Sequence, residues 1–530
     1  MRTILLVVAA AGLGLLSEAQ TVSNVAVQTS SQTVASSKVD ARVPAPADPA
    51  PTPTPAASPG DVVPPAPAAS PAPVAAVQEP QPLTGGFFSR LYKAYSNDWT
   101  TTSTDSGPAP AFRGYPAPES DPPFPFTVWP YGGSVVLGQP FVQSGPLMEA
   151  IWSGSNGDAW KKSGIQIYGW LNGGFNVSTS KEGGYSNYPA TYAERGNSVQ
   201  MDQEVLYIER QPDTVQTDHI DWGFRIAPIY GLDYRFTTAK GIFSNQLLGK
   251  DKENGFDIPM AYFDLYLPHV ADGMNIRVGR YVSLPDIEAQ LAPNNYTYSH
   301  SLTYSFDCYT QSGINTTTML NKHFLFQVGL SSGCDAAPWT TDAQATVNAC
   351  LGYYTHGGGD NIYLCANSIN NNKYAYNNLG AYYLTWYHKF NERWHTDTET
   401  WYQYEKDTPN VNNPAGQKLL ENGANGAFCR QAYQATCYAP EWAIVNYVEE
   451  KLGPKDYLSF RTEFFDDLVG QRTGFKTRYD EHLIGWGHWV GSSVLFRPEL
   501  RFDHAFDAAP YDNGTRHSQL MFACDAIFFF

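Results

Sequence analysis

Arg497, Glu499, Arg501 and Asp503 take every second position of 494–503, and Val494, Phe496, Pro498, Leu500 and Phe502 fill the places between them. Period two is the repeat of an extended strand, so the charges share one face and the apolar residues the other. Four ionised side chains in a row would ruin a dry core, so their face meets water and the opposite face meets lipid or a partner. The chemistry open to such a row is electrostatic: fixed guanidinium and carboxylate groups attract, repel and orient dissolved charge.

The same sorting by faces adds further candidates. In 220–226, Asp221 and Arg225 oppose Ile220, Trp222, Phe224 and Ile226; Asp264 opposes Ala261, Phe263, Leu265 and Leu267. Arg277 opposes the apolar residues of 274–278, and Arg461 and Glu463 oppose Leu458, Phe460 and Phe464. Asp397 and Glu399 share a face with His395. That alternation offers donors to a metal, but a polar strand face has the same composition, and no resident metal or cofactor is called for. Neighbouring opposite charges also fit ion-paired scaffolding. The segment 282–312 carries Asp286 and Glu288 beside Ile287 and Leu291, then the run PNNYTYSHS. It is too long for a turn and too mixed for a solvated loop. It is expected to fold inward and set both carboxylates across from wall arginines; an outer-surface loop is the alternative. The HExxH and Walker-type signatures of catalysis are missing, and His356-Gly357-Gly358-Gly359 reads as a tight turn.

From Gly164 onward the alternation recurs about every 23 residues, with connections that alternate between long and short. Sixteen strands fit this rhythm and return the last residue to the side where the strands begin; fourteen or eighteen also fit. The final segment, 520–530, alternates strictly, with Leu520, Phe522, Cys524, Ala526, Phe528 and Phe530 facing away from Met521, Ala523 and Asp525. An amphipathic strand of a soluble sandwich explains one such segment. Many of them imply a closed transmembrane antiparallel β-barrel, because only closure satisfies every backbone group away from water. The fold class is therefore all-β, with an interior wide enough to hold water.

Bulk composition agrees. Hydrophobic content of 42% with a mean hydropathy of −0.35 suits strands that are wet on one face. The 34 tyrosines are expected at the interfacial girdles. A formal charge of −17 excludes nucleic acid as a partner and modestly favours cations or neutral solutes. Arg2, the apolar stretch 4–16 and Ser17-Glu18-Ala19 read as a signal peptide over 1–19. Residues 20–85 form an Ala/Pro-rich disordered linker. Residues 86–160 are an irregular, partly helical segment, either a plug or a periplasmic cap, and 161–530 are the barrel. Of the seven cysteines, Cys350 and Cys365 come opposite one another if 356–359 is a turn; Cys429 with Cys437 and Cys308 with Cys334 are further pairs, leaving Cys524.

Three long segments carry a family likeness: DHIDWGFRIAPIYGLDYRFTTAKG (218–241), IRVGRYVSLPDIEAQLAPNNYTYSHS (276–301) and GQRTGFKTRYDEHLIGWGHWVGSSVLFRPELRFD (470–503). With PFPFTVWPYGG and SGPLMEAI, they resemble the OmpL-like β-barrel porins of diderm outer membranes. The resemblance implies a porin-like barrel with no catalytic residues to carry over. The expected function is passive diffusion of small hydrophilic solutes, with the charges above lining the pore. The expected partners are outer-membrane lipid and the barrel-assembly machinery, which would read the closing strand at Phe528 and Phe530; homo-oligomerisation is left open. The alternatives are a barrel enzyme acting on lipid or peptide and a blocked structural or adhesion barrel.

Overall fold

In a computed structural model the described residues are 82–100, 137–138, 145–181, 183–355, 359–391, 393–421 and 424–530. The chain divides into units Met1–Val74 and Ala75–Phe530, and every described residue belongs to the second. The expected signal peptide and most of the linker lie outside the described residues, as do 356–358 of the His-Gly turn.

Three helices, α1 (Phe87–Thr100), α2 (Pro146–Trp152) and α3 (Gly157–Ser163), precede the strands. The first eight strands are β1 Gln166–Ser178, β2 Val199–Arg210, β3 Asp221–Gly231, β4 Gly255–Leu267, β5 Met274–Val282, β6 Thr310–Met319, β7 Phe324–Cys334 and β8 Thr346–Tyr354. The second eight are β9 Asp360–Ile369, β10 Gly380–Lys389, β11 Trp394–Pro409, β12 Thr436–Lys451, β13 Asp456–Asp467, β14 Thr477–Val490, β15 Val494–Ala505 and β16 Ser518–Phe529. Each pairs antiparallel with its sequence neighbours, and β16 pairs with β1 to close a sixteen-strand barrel. Closure leaves no edge strand whose N–H and C=O groups would face hydrocarbon.

Faces sort as the alternation requires. Phe496, Leu500 and Phe502 of β15 are exposed on the outer wall, and Arg497, Glu499, Arg501 and Asp503 are buried inside. At the seam, Leu171 of β1 pairs with Phe528, and Phe530 exchanges backbone hydrogen bonds with Gly169 (2.9 and 3.2 Å). Leu500→Arg would place a charge on the lipid face and is expected to cost about 2–4 kcal/mol near the bilayer midplane. Urea unfolding from lipid vesicles measures that loss.

One feature departs from expectation. Many tyrosines lie inside the barrel rather than at its rims: Tyr207, Tyr266, Tyr281, Tyr354, Tyr363 and Tyr479 are buried in its main apolar cluster. A phenol has an apolar body for packing and a hydroxyl for a polar interior, so it serves a filled barrel as well as an interface. Other tyrosines, among them Tyr230, Tyr353, Tyr402 and Tyr438, stay exposed on outward strand faces, beside tryptophan–histidine pairs. Trp386 and His388 share Asp360 (3.1 and 2.6 Å), and Trp486 and His488 share Asp456 (3.0 and 2.7 Å).

The helices gather at the short-turn end. Tyr95 of α1 donates to the Phe529 carbonyl (3.0 Å) and stacks on Phe528, and Asp98 accepts from the backbone N–H groups of Ser492 (2.7 Å) and Ser493 (3.1 Å). Gly491 in that turn has φ +62°, a conformation glycine adopts without strain, and a Cβ there would strike Asp98. Arg90 ties α1 to α2 through the Ala150 carbonyl (2.9 Å). Gly138 donates to Thr214 in the β2–β3 turn (3.0 Å), beside the buried Leu137. Three disulfides, Cys308–Cys334, Cys350–Cys365 and Cys429–Cys437, brace the strands and loops, and Cys350 and Cys365 are register partners across β8 and β9. Cys524 is free.

Candidate functional site

Residues 283–309 leave β5 at the long-loop end and run into the barrel, where the charged row of the wall holds their backbone. Arg461 donates to the Ser299 carbonyl (2.6 Å), Arg497 to those of Ala292 and Asn295 (both 2.8 Å), and Arg501 to that of His300 (2.7 Å). Carboxylates do the converse. Glu499 accepts from Tyr298 N (2.9 Å), Glu463 from Leu302 N (2.8 Å) and Thr303 N, and Glu399 from Ile287 N (2.8 Å). A segment with no strand or long helix of its own needs partners for its peptide groups, and charged acceptors and donors on the wall provide the stronger kind of hydrogen bond.

Neutral wall groups complete the attachment. Trp401 donates to the Thr303 carbonyl (2.9 Å), Gln403 to that of Phe306 (2.9 Å), and Tyr457 to that of Tyr296 (2.9 Å). Gln203, on the opposite side of the barrel, accepts from Ala292 N (3.0 Å) and donates to the Gln290 carbonyl (2.9 Å). The segment therefore crosses the lumen.

Within the segment, Glu288 meets Arg461 at 3.3 Å and accepts from Ser301 N (3.1 Å) and Tyr447 Oη. Asp286 faces carboxylates instead of an arginine: an oxygen of each of Asp286, Asp307 and Glu399 lies within 4.8 Å of the others. The expectation of two carboxylates opposite arginines thus describes Glu288 and needs correcting for Asp286. Asp286 lies near the start of the segment beside Glu399 of β11, and no arginine forms an ion pair with it among the described residues. Burial pushes Asp286 up to about 7. Burial and then the neighbouring Asp286 raise Asp307 well above the ordinary carboxylate range. His300 is held well below the usual imidazole range by burial, and its neutral ring contacts the Ala289 carbonyl through Nε2 (2.8 Å).

The remaining candidates face the interior in local pairs. Arg225 pairs with Glu209 (2.7 Å), Asp264 with Arg277 (2.9 Å) and Asp503 with Arg501 (2.8 Å). Asp397 is 3.8 Å from His395, which turns to Tyr296 Oη (2.9 Å), so His395, Asp397 and Glu399 do not converge on one point. All of these wall groups are shielded from solvent rather than lining open water; Arg501 and Asp503 are 0% exposed. The inward segment and the tyrosines take the space that an open wall would leave to water. Glu481, Asp525, Gln203 and Trp401 belong to the same network and were not singled out from the sequence. Asp525 lay on the correct face in plain alternation, whereas Gly485 and Gly487 break the pattern around Glu481.

Residues 164–530 match the family described as "Putative beta-barrel porin-2, OmpL-like". The chain belongs to this porin family. The porin resembles solved outer-membrane barrels at low identity: the anion-selective porin of Comamonas acidovorans (10% identity, 69% of this chain and 99% of that one, TM-score 0.44), the channel DcaP of Acinetobacter baumannii (10%, 69% and 97%, 0.43) and OmpT of Vibrio cholerae in its trimer form (8%, 69% and 99%, 0.40). No curated protein matches. The porin is an outer-membrane channel for solutes in a bacterium. Its short turns share one end of the barrel with α1, and its long loops take the other.

Proposed function

We propose that this porin is a passive, non-enzymatic channel for small hydrophilic solutes whose passage is restricted by residues 283–309. The observation that carries the reading is the row Arg461, Glu463, Arg497, Glu499 and Arg501, whose hydrogen bonds hold that segment across the lumen. The arginines at the crossing are ion-paired and carboxylates outnumber them, which suits cations or neutral solutes. On the outer side a cavity of about 180 Å³, lined by Tyr188, Glu194, Arg235, Tyr376, Gln471 and Arg472 among others, is the entry vestibule. There burial pushes Glu194 up to about 7, against the pull of Arg235. The helix α1, hydrogen-bonded to the rim at Phe529 and Ser493, and α2, tied to it through Arg90, act as a periplasmic cap. The closing strand with Phe528 and Phe530 is the segment for the assembly machinery to read, and homo-oligomerisation is compatible with the exposed apolar wall.

The test is reconstitution in a planar bilayer. The intact chain is expected to show small, stepwise conductance, and a variant with 289–300 replaced by a short Gly/Ser linker a several-fold larger one. The burial of the wall charges favours one second reading, a blocked structural barrel. Silence from the intact chain together with conductance from the variant supports that reading. Hydrolysis of added phospholipid by the intact chain would overturn both.

A further inference from the structure

We propose that Asp286, Asp307 and Glu399 bind one divalent cation, of the hard, oxygen-seeking class typified by calcium, and so clamp the inward segment to β11. Asp286 and Asp307 stand near the two ends of that segment, and Glu399 stands on the wall. One carboxylate oxygen from each lies within 4.8 Å of the other two.

The trio differs from most interior carboxylates described above; Asp397, beside His395, also lacks an arginine. Glu288, Asp264, Asp503 and Asp525 each have an arginine in contact, and Glu463 and Glu499 each take two or more backbone N–H donors. No lysine or arginine forms an ion pair with the trio among the described residues. Glu399 Oε2 accepts from Ile287 N (2.8 Å) and Asp307 Oδ2 from Tyr383 Oη (3.4 Å). Glu399 Oε1, Asp307 Oδ1 and Asp286 Oδ1 are then left buried with no hydrogen-bond partner outside the trio, within which Asp286 and Asp307 hydrogen-bond to each other. Asp307 is 0% and Glu399 2% exposed.

A fourth group stands beside Glu399. Thr385 of β10 is the register partner of Glu399, so their side chains lie side by side on the interior face. Its hydroxyl is also wholly buried and unpartnered. Three carboxylates and a hydroxyl form a hard oxygen donor set, and calcium takes six to eight such ligands with water filling the rest. Magnesium demands a stricter octahedron and gives up its water reluctantly, so it fits less well. A cation here neutralises three crowded carboxylates that otherwise have only protons to relieve them.

The binding claim stands without the channel reading; only its consequence for conductance rests on it. The full chain, refolded in detergent free of lipopolysaccharide and stripped with EDTA, is titrated with CaCl2 and then with MgCl2 by calorimetry at pH 7.5. One calcium per chain is expected, with a Kd on the order of 10⁻⁵ to 10⁻³ M, weaker magnesium binding, and a calcium-dependent rise in Tm. Asp307→Asn and Glu399→Gln are expected to weaken binding at least tenfold and to abolish the rise. Thr385→Val preserves every charge and is expected to weaken binding several-fold while heat-modifiable gel mobility stays that of the folded barrel. Absence of calcium heat and of a Tm shift in the intact chain overturns the site. Equal binding by all four proteins also overturns it, because the ion then sits elsewhere. A failure of conductance with calcium binding intact would count against the channel reading alone.

Discussion

Arg461→Met is expected to destabilise the barrel by about 3–5 kcal/mol and to raise its single-channel conductance. The guanidinium is fully buried between Glu481 (2.8 Å) and Glu288 (3.3 Å), and it also donates to the Ser299 carbonyl (2.6 Å) and Thr297 Oγ1 (3.1 Å). Methionine fills much of the volume but leaves Glu288 buried without a cation and Glu481 with only Arg501, 4.0 Å away, and that residual charge is the costly part of a broken pair. The wall also loses its grip on the segment at Ser299. Arg225→Met is the matched control: Arg225 pairs with Glu209 (2.7 Å) and reaches Met260, both on neighbouring strands. It should cost a similar stability and leave conductance unchanged. Adding Glu288→Gln to Arg461→Met should recover part of the stability, since one uncompensated charge is removed. Urea midpoints and bilayer recordings on the same preparations separate the two effects. Equal conductance in the Arg461 and Arg225 variants would detach the segment from control of the pore.

The contrast between these arginines shows how far pattern reading reaches. Alternation decides which face a side chain takes, so Arg225, Arg461 and Arg497 were legible as interior from their neighbours alone. It does not say which side chains meet across a closed barrel. That depends on strand tilt and on the path of whatever fills the lumen, which no local repeat encodes. Hence 283–309 was recognisable as an inward segment from its length and mixed composition, and the partner of Glu288 followed. The carboxylate neighbours of Asp286 were hidden, because Asp307 returns from the far end of the same segment and Glu399 comes from β11. Cysteine pairing lay at the easier extreme: Cys350 and Cys365 flank one short turn, and their register is a matter of counting. Tyrosine lay at the harder one, since its composition signal is the same for a rim and for a packed interior.

Asp525→Leu is expected to impair closure of the barrel itself. Asp525 sits on β16 between two neighbours: Arg497 on β15, whose Nε donates at 3.0 Å, and Asn172 on β1, whose Nδ2 donates at 2.7 Å. One buried carboxylate thereby ties both sides of the last strand, at the seam where β16 meets β1. Leucine would leave the Arg497 guanidinium, 1% exposed, without a counter-charge, a loss of about 3–5 kcal/mol. Asp525→Asn retains hydrogen-bond acceptors and is expected to lose less, because only the charge is removed. The seam is also linked to the pore: Arg497 holds the Ala292 and Asn295 carbonyls, so an arginine without its carboxylate partner holds the inward segment less rigidly. Refolding into detergent, read as the fraction with the mobility of a folded barrel on an unheated gel, should fall steeply for Asp525→Leu and modestly for Asp525→Asn. Full folding of Asp525→Leu with an unchanged urea midpoint would show that backbone pairing alone closes the cylinder.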